Sequence, residues 1–374
     1  MITRALQKRI EEKLFKGKAI IVIGARQVGK STLFQQITEG LDMPVLSLNC
    51  DEPEVREMLA NMNTNALKLL VGNHRLVMID EAQRVPDIGM TLKRMTDNLP
   101  NVQLMVTGSS SFELQNRLNE PLTGRKYEYH LYPISTGELL RHGGLLAIKQ
   151  SLESRLIYGS YPDIVNHTDE AKELLMNIAG SYLYKDLLAL EDIRRPALLE
   201  KLLVALALQV GSEVSYNEIA QTVGTDSKTV EKYIDLLEKC YIVFRLSAFN
   251  RNLRTELKKS KKIYFYDNGI RNAVIQNFSP LAMRNDAGAL WENFFISERI
   301  KANEYAGRYA KSYFWRTTQQ QEIDYIEEAD GQFTAFEMKW NPRKRATALP
   351  ASFLKTYSVA QSAVITPENY MEWL

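Results

Sequence analysis

Cysteine is nearly absent: Cys50 and Cys240 are the only two in 374 residues, too few for a disulfide framework or a thiolate metal site. The four histidines show no ligand spacing, so a structural metal is not expected. No apolar run reaches membrane-spanning length. The opening stretch MITRALQKRIEEKLF mixes charge with apolar residues and lacks the uninterrupted apolar segment of a signal peptide, so a cytoplasmic address and no membrane partner are expected. Internal repeats and low-complexity tracts are also lacking. Neither sign of charge dominates: 47 basic against 45 acidic residues leave a net charge of +2, and any nucleic-acid surface must come from local clustering. What remains, 45% hydrophobic and 25% charged residues, is the make-up of a globular chain with room for two or three domains.

Between residues 18 and 132, short apolar runs (KAIIVIG, MPVLSLN, HRLVMID, VQLMVTG, KYEYHLY) alternate with longer stretches of mixed periodicity. That alternation predicts β-α units around a buried, mostly parallel sheet. The expected partition is an α/β domain over 1–133, a helical lid or connector over 134–210, a winged helix-turn-helix over 211–270, and a second α/β domain over 271–374. Breaks at HGG (142–144) and YGSYP (158–162) punctuate the helical part.

The most specific signal follows the strand IIVI. Gly24, Ala25, Arg26, Gln27, Val28, Gly29, Lys30, Ser31 and Thr32 fit the phosphate-loop pattern G-x-x-x-x-G-K-[ST], followed by a helix-like STLFQQI. Glycines let the backbone wrap its N–H groups inward, the helix N-terminus adds its dipole, Lys30 meets the β- and γ-phosphates of ATP, and the Ser31 hydroxyl ligates Mg²⁺. A second strand, LVMI, ends in Asp80 and Glu81, placed to complete the Mg²⁺ shell and to polarise an attacking water. A third ends in Thr107, Gly108, Ser109 and Ser110; Thr107 and Ser109 suit sensing of the γ-phosphate or lytic water, or else helix capping. Arg125 is either a cation for transition-state charge, within the chain or toward a neighbour, or an ordinary surface arginine.

Taken together, GARQVGKST, IDEAQRVP, VTGSSSF and LTGR resemble the AAA-type ATPase domain of a large group of prokaryotic proteins that carry a C-terminal domain of formerly unknown function. The resemblance runs from roughly residue 1 to the end and implies an α/β P-loop NTPase domain linked to a winged helix and a restriction-endonuclease-like region. It carries over to Gly29, Lys30, Ser31, Asp80 and Glu81, and less tightly to Thr107, Ser109 and Arg125; the helical part shows no second-sensor arginine.

In the middle of the chain, Ser215 and Glu218 form a capping-box pattern, Val223-Gly224-Thr225 makes a turn, and Asp226 or Ser227 caps a second helix through Lys239. On that helix Lys228, Thr229 and Lys232 can face double-stranded DNA while Val230, Tyr233, Ile234 and Leu237 pack inward, with YIVFRLSAF and KKIYFYD as wing strands. A packing module between domains is the other reading. The run from Arg251 to Lys262 sets Arg251, Arg254, Lys258, Lys259, Lys261 and Lys262 against one acid, a segment that either tracks phosphates or is a solvated loop.

Near the C-terminus, Glu292 opens a helix, Asp324 ends a strand, and Glu337 and Lys339 follow an Asp330-Gly331 hairpin turn. Neighbouring strands bring Asp324 close to Glu337, with Lys339 on the same face. Three acids for Mg²⁺ or Mn²⁺ and a lysine for developing charge are what phosphodiester hydrolysis needs, and the set resembles the PD-(D/E)xK nuclease core, without a proline before Asp324. The expected function is a nucleotide-switched ATPase regulating a DNA-binding, nuclease-like half. The alternative is a regulatory ATPase whose inactive nuclease-like fold serves a protein partner or a homo-oligomer.

Overall fold

The computed structural model describes residues 1–60, 62–108, 122–183, 195–249, 261–317, 319, 321–341 and 349–374. They fall into two units, one of residues 1–132 with 239–241, the other of 133–238 with 242–374.

In the first unit, helix α1 (Leu6–Glu11) precedes β1 (Ala19–Ile23), α2 (Lys30–Glu39), β2 (Val45–Asn49), α3 (Pro53–Leu59), α4 (Thr64–Val71), β3 (Leu76–Asp80), α5 (Ile88–Asn98), β4 (Gln103–Gly108) and β5 (Lys126–His130). The strands form one five-stranded sheet in the order β2-β3-β4-β1-β5, and every pairing is parallel. All five residues of β1 and all six of β4 are buried, which explains the unbroken apolar run of β1 and the apolar Leu104, Met105 and Val106 of β4, while the buried Gln103 and Thr107 hydrogen-bond within the unit. Edge strand β2 is only partly covered and carries alternating polar residues. The crossover order matters for chemistry. Strand β4 lies between the strand that leads into the phosphate loop and the strand that ends in Asp80, so Thr107 comes to the seam between them.

The second unit opens with α6 (Thr136–Tyr158), capped by the reciprocal pair Ser135 and Glu138. It kinks at Gly144 (φ 76°) and stops at Gly159 (φ 75°), the two breaks expected from the sequence. Helices α7 (Pro162–Asn166), α8 (Ala171–Asn177) and α9 (Pro196–Leu208) follow, then β6 (Glu213–Val214), α10 (Tyr216–Val223), α11 (Ser227–Lys239), β7 (Val243–Ala248), β8 (Lys261–Phe265), α12 (Asn268–Val274), α13 (Ala287–Ala306), β9 (Lys311–Arg316), β10 (Glu322–Ala329), β11 (Gln332–Met338), α14 (Ala351–Thr356) and β12 (Val359–Ile365). One seven-stranded mixed sheet, ordered β12-β11-β10-β9-β7-β8-β6, runs through this unit. The expected wing strands β7 and β8 are therefore interior members of that sheet: β7 pairs with β9 through Ser247 and Tyr313, across the expected boundary at 270/271.

Helix α13 is the spine of the unit. Trp291, Phe294, Phe295 and Ile296 are buried alongside Asn293, Ser297, Glu298 and Lys301, so polar groups on the buried faces must find partners. Asn293 bonds both backbone groups of Phe265, and Glu298 accepts from Lys301 Nζ (2.7 Å) and the Thr136 N–H (2.5 Å), with Arg155 3.6 Å away. Burial alone would raise the Glu298 pKa, but Lys301 and Arg155 outweigh it and hold it below the usual range. Thr136 and Arg155 thus tie the helical segment expected as a lid into the fold of the C-terminal half.

Candidate functional site

In the first unit the loop after β1 takes two left-handed residues, Gln27 (φ 59°) and Gly29 (φ 90°), before α2 begins. Successive conformations of this kind turn backbone N–H groups toward one concavity, an anion-binding arrangement. Gly24 is required by packing: a Cβ there would fall 2.1 Å from the Leu131 carbonyl oxygen. Lys30, only 5% exposed, lies back along the loop and donates to the carbonyls of Gly24 (3.1 Å) and Ala25 (2.8 Å). Arg4 braces the loop from behind, donating to the carbonyls of Val28 and Tyr132. That residue escaped sequence reading because it lies far outside the motif.

The strand ends then converge. Ser31 Oγ donates to Asp80 Oδ2 at 2.6 Å, and Thr107 Oγ1 donates to Asp80 Oδ1 while accepting the Glu81 N–H at 3.1 Å. Glu81, in a left-handed backbone conformation (φ 53°), has its carboxylate held by Gln83 Nε2 at 2.6 Å. The hydroxyl of Ser31 and the carboxylate of Asp80 are hard oxygen donors already gathered at a helix N-terminus, and this donor set fits Mg²⁺. Gln83 is buried and was missed by sequence reading, since nothing marks one glutamine two residues past an acid pair. Cys50, beside these acids, is pushed up to about 12 by burial and the charges of Asp80, Asp51 and Glu81, which leaves it an unreactive thiol.

Arg125 requires a correction. Strand β5 runs parallel to β1 with Ala19 opposite Lys126 and Ile23 opposite His130, so Arg125 lies at the end of the sheet remote from the loop. That is roughly 15 Å along the strand at ~3.3 Å per residue. Its guanidinium is ion-paired with Asp97 at 2.6 Å. It therefore cannot supply a transition-state cation within its own first unit. Ser109 lies outside the described residues.

The second unit gathers its own acids. Asp324 lies near the start of β10 rather than at its end, because the strand runs on to Ala329. Pairing of Tyr325 with Phe336 sets Asp324 across from Glu337, and Asp324 Oδ2 accepts the Met338 N–H at 2.8 Å. Lys339 Nζ is 3.2 Å from Glu337 Oε2, and Glu292 faces the same crevice from α13, close enough to raise its own pKa through the charge of Asp324. All four expected residues are thus brought together. Three more join them: Lys262 bridges Glu292 (3.3 Å) and Glu322 (2.7 Å), and Tyr264 donates to Glu292 Oε1 at 2.5 Å. Burial, reinforced by Asp324, lifts both Glu292 and Glu337 to about 7.

Neither a phosphate-tracking segment nor a solvated loop describes Lys262, which is 2% exposed and paired inside the fold. Lys261 lies 3.8 Å from Glu231 and over the Tyr216 ring, and Arg251, Arg254, Lys258 and Lys259 lie outside the described residues. On α11, Val230, Tyr233, Ile234 and Leu237 are buried as expected, Lys228 and Lys232 are exposed, and the Thr229 hydroxyl donates to the capping Asp226 at 2.7 Å, which engages it locally. Among the described residues, no three His, Cys, Asp or Glu side chains form a group able to hold a metal ion. No helix among them is long and apolar enough to cross a membrane.

Comparison with known proteins finds three family matches along the chain. Residues 16–140 match the AAA domain family, 149–281 a domain of unknown function (DUF8612), and 287–373 another (DUF4143). An uncharacterized protein of Mycobacterium tuberculosis is 26% identical over 97% of this chain and 79% of its own length. One from Haemophilus influenzae is 26% identical over 68% of each chain, and one from Methanocaldococcus jannaschii 23% identical over 79% of this chain and 69% of its own. Among solved structures, a signal-transduction ATPase with numerous domains from Pyrococcus horikoshii overlaps 82% of this chain and 47% of its own at 12% identity and a TM-score of 0.30, too distant to carry any argument. The chain carries an AAA-type P-loop ATPase domain followed, at its C-terminal end, by a DUF4143 domain.

Proposed function

We propose that the chain is a Mg²⁺-dependent ATPase whose nucleotide state regulates its second unit. The observation that carries the reading is Asp80, whose two oxygens accept from Ser31 and Thr107, residues of the helix after the loop and of the strand between. In this reading Lys30 exchanges the carbonyls of Gly24 and Ala25 for the β- and γ-phosphates, and the loop from Gly24 to Thr32 cradles them. Ser31 and Asp80 hold Mg²⁺, which when bound neutralises charge developing on the phosphates. Glu81, oriented by Gln83, takes the proton of the attacking water, and Thr107 keeps the two acids in register. Nucleotide binding and phosphate release from ATP with Mg²⁺ test this: wild type turns over, Lys30→Ala loses nucleotide affinity and turnover, and Glu81→Gln binds but hydrolyses slowly. Normal turnover in both variants refutes it.

The second unit is the responder. The order α10-α11-β7-β8 supports a winged helix presenting Lys228 and Lys232 to duplex DNA, and α13-β9-β10-β11 with Glu292, Asp324, Glu337 and Lys339 supports a PD-(D/E)xK nuclease-like fold. Incubation of plasmid and linear DNA with Mg²⁺ or Mn²⁺, with and without ATP, compares wild type with Asp324→Ala; cleavage lost only in the variant establishes cutting. A second reading, an inactive nuclease-like fold used for protein interaction, is favoured by one observation: Lys262 lies between Glu292 and Glu322.

A further inference from the structure

We propose that Lys262 is a tethered cation filling the acidic crevice of the second unit, so that Glu292, Glu322 and Asp324 surround an ammonium where an active nuclease would hold a divalent metal. The inference rests on the second reading of that unit and is independent of the ATPase. Lys262 Nζ is 2.7 Å from Glu322 Oε1 and 3.3 Å from Glu292 Oε1, with the Phe314 ring 5.4 Å beneath it. Its side chain is 3% exposed and enters from β8, so it is walled in rather than reaching out to water.

One oxygen on each of Glu292, Asp324 and Glu337 also accepts a hydrogen bond from the protein. Tyr264 donates to the Glu292 oxygen that faces Lys262, the Met338 N–H to Asp324, and Lys339 to Glu337. Mg²⁺ needs about six oxygen ligands with lone pairs directed at it. An ammonium within hydrogen-bond reach of two of the acids both consumes those lone pairs and repels a second cation. Carboxyl-rich as it is, the crevice already holds its counter-ion.

The test is binding of Mn²⁺, followed by the resonance of the free ion, to the full chain carrying Asp80→Asn, which removes the first-unit ligand beforehand. That protein is expected to bind no Mn²⁺ in the second unit. Adding Lys262→Met is expected to create one Mn²⁺ site, at least about a hundred-fold tighter because a like charge a few ångströms away is gone, and Asp324→Asn is expected to abolish it. Lys262→Arg keeps the charge and is expected to keep the crevice closed. If Lys262→Met does not fold alone, its melting temperature is expected to recover on Mn²⁺ addition, a rescue that the Asp80→Asn parent does not show. Mn²⁺ bound by the parent and lost on Asp324→Asn overturns the proposal, as does a folded Lys262→Met chain that binds none. Absence of ATP turnover affects neither outcome.

Discussion

Two acid clusters sit at strand ends in this chain, and they differ in what faces them. In the first unit Asp80 is met by the hydroxyls of Ser31 and Thr107; in the second, Glu292, Glu322 and Glu337 are met by the ammonium groups of Lys262 and Lys339. A hydroxyl donates one proton and keeps lone pairs, so it can turn from hydrogen-bond donor to metal ligand without leaving its place. An ammonium has no lone pair and carries a charge that a metal would have to displace. In the reading proposed above, the neighbours of the acids, and not the number of acids, set the metal chemistry of each cluster.

The sharpest way to break the comparison is at the loop. Lys30→Ala removes the cation meant for the phosphates, and nucleotide affinity measured by calorimetry is expected to fall by at least about a hundred-fold, the scale of a lost charge-assisted contact. Glu81→Gln comes next: binding is retained while phosphate release slows by about 10²- to 10⁴-fold, the usual contribution of a general base. In the second unit, Lys262→Met leaves buried acids without their counter-ion, and chemical denaturation is expected to show a loss of about 3–5 kcal/mol. Thr107→Val strips the buried hydroxyl that joins Asp80 to the Glu81 N–H, costing about 1–3 kcal/mol in the same assay.

The second unit can also be tested through pH. Glu292 and Glu337 have folded pKa values raised from 4.5 to about 7, so between those values the native state binds the extra protons. Their contribution to stability is therefore most favourable below about 4.5 and declines as pH rises to about 7, by at most ~3 kcal/mol per group. Melting temperatures across this range should fall with pH, and Lys262→Met should extend the decline upward, because the lysine charge now holds Glu292 down.

Much of the first site was legible because its residues are contiguous and their backbone demands are written as glycine: Gly24 against Leu131 and Gly29 at its left-handed turn. Strand order was not legible. Nothing in the sequence shows that β4 lies between β1 and β3, so Thr107 could be placed at a strand end but not tied to Asp80, and Arg125 fell at the remote end of β5. In the second unit the period-2 pattern set Asp324 opposite Glu337, but Lys262 read as one charge in a basic run. Its pairing with Glu292 and Glu322 joins β8 to α13 and β10, contacts 30 and 60 residues apart that no local pattern records.

The most direct measurement is the stoichiometry of Mn²⁺ on the full chain with a non-hydrolysable ATP analogue present. One ion per chain, lost with Asp80→Asn and unchanged by Asp324→Asn, is the predicted result. A second ion that Asp324→Asn removes, or one indifferent to Asp80→Asn, would contradict the assignment of metal chemistry to the first unit alone.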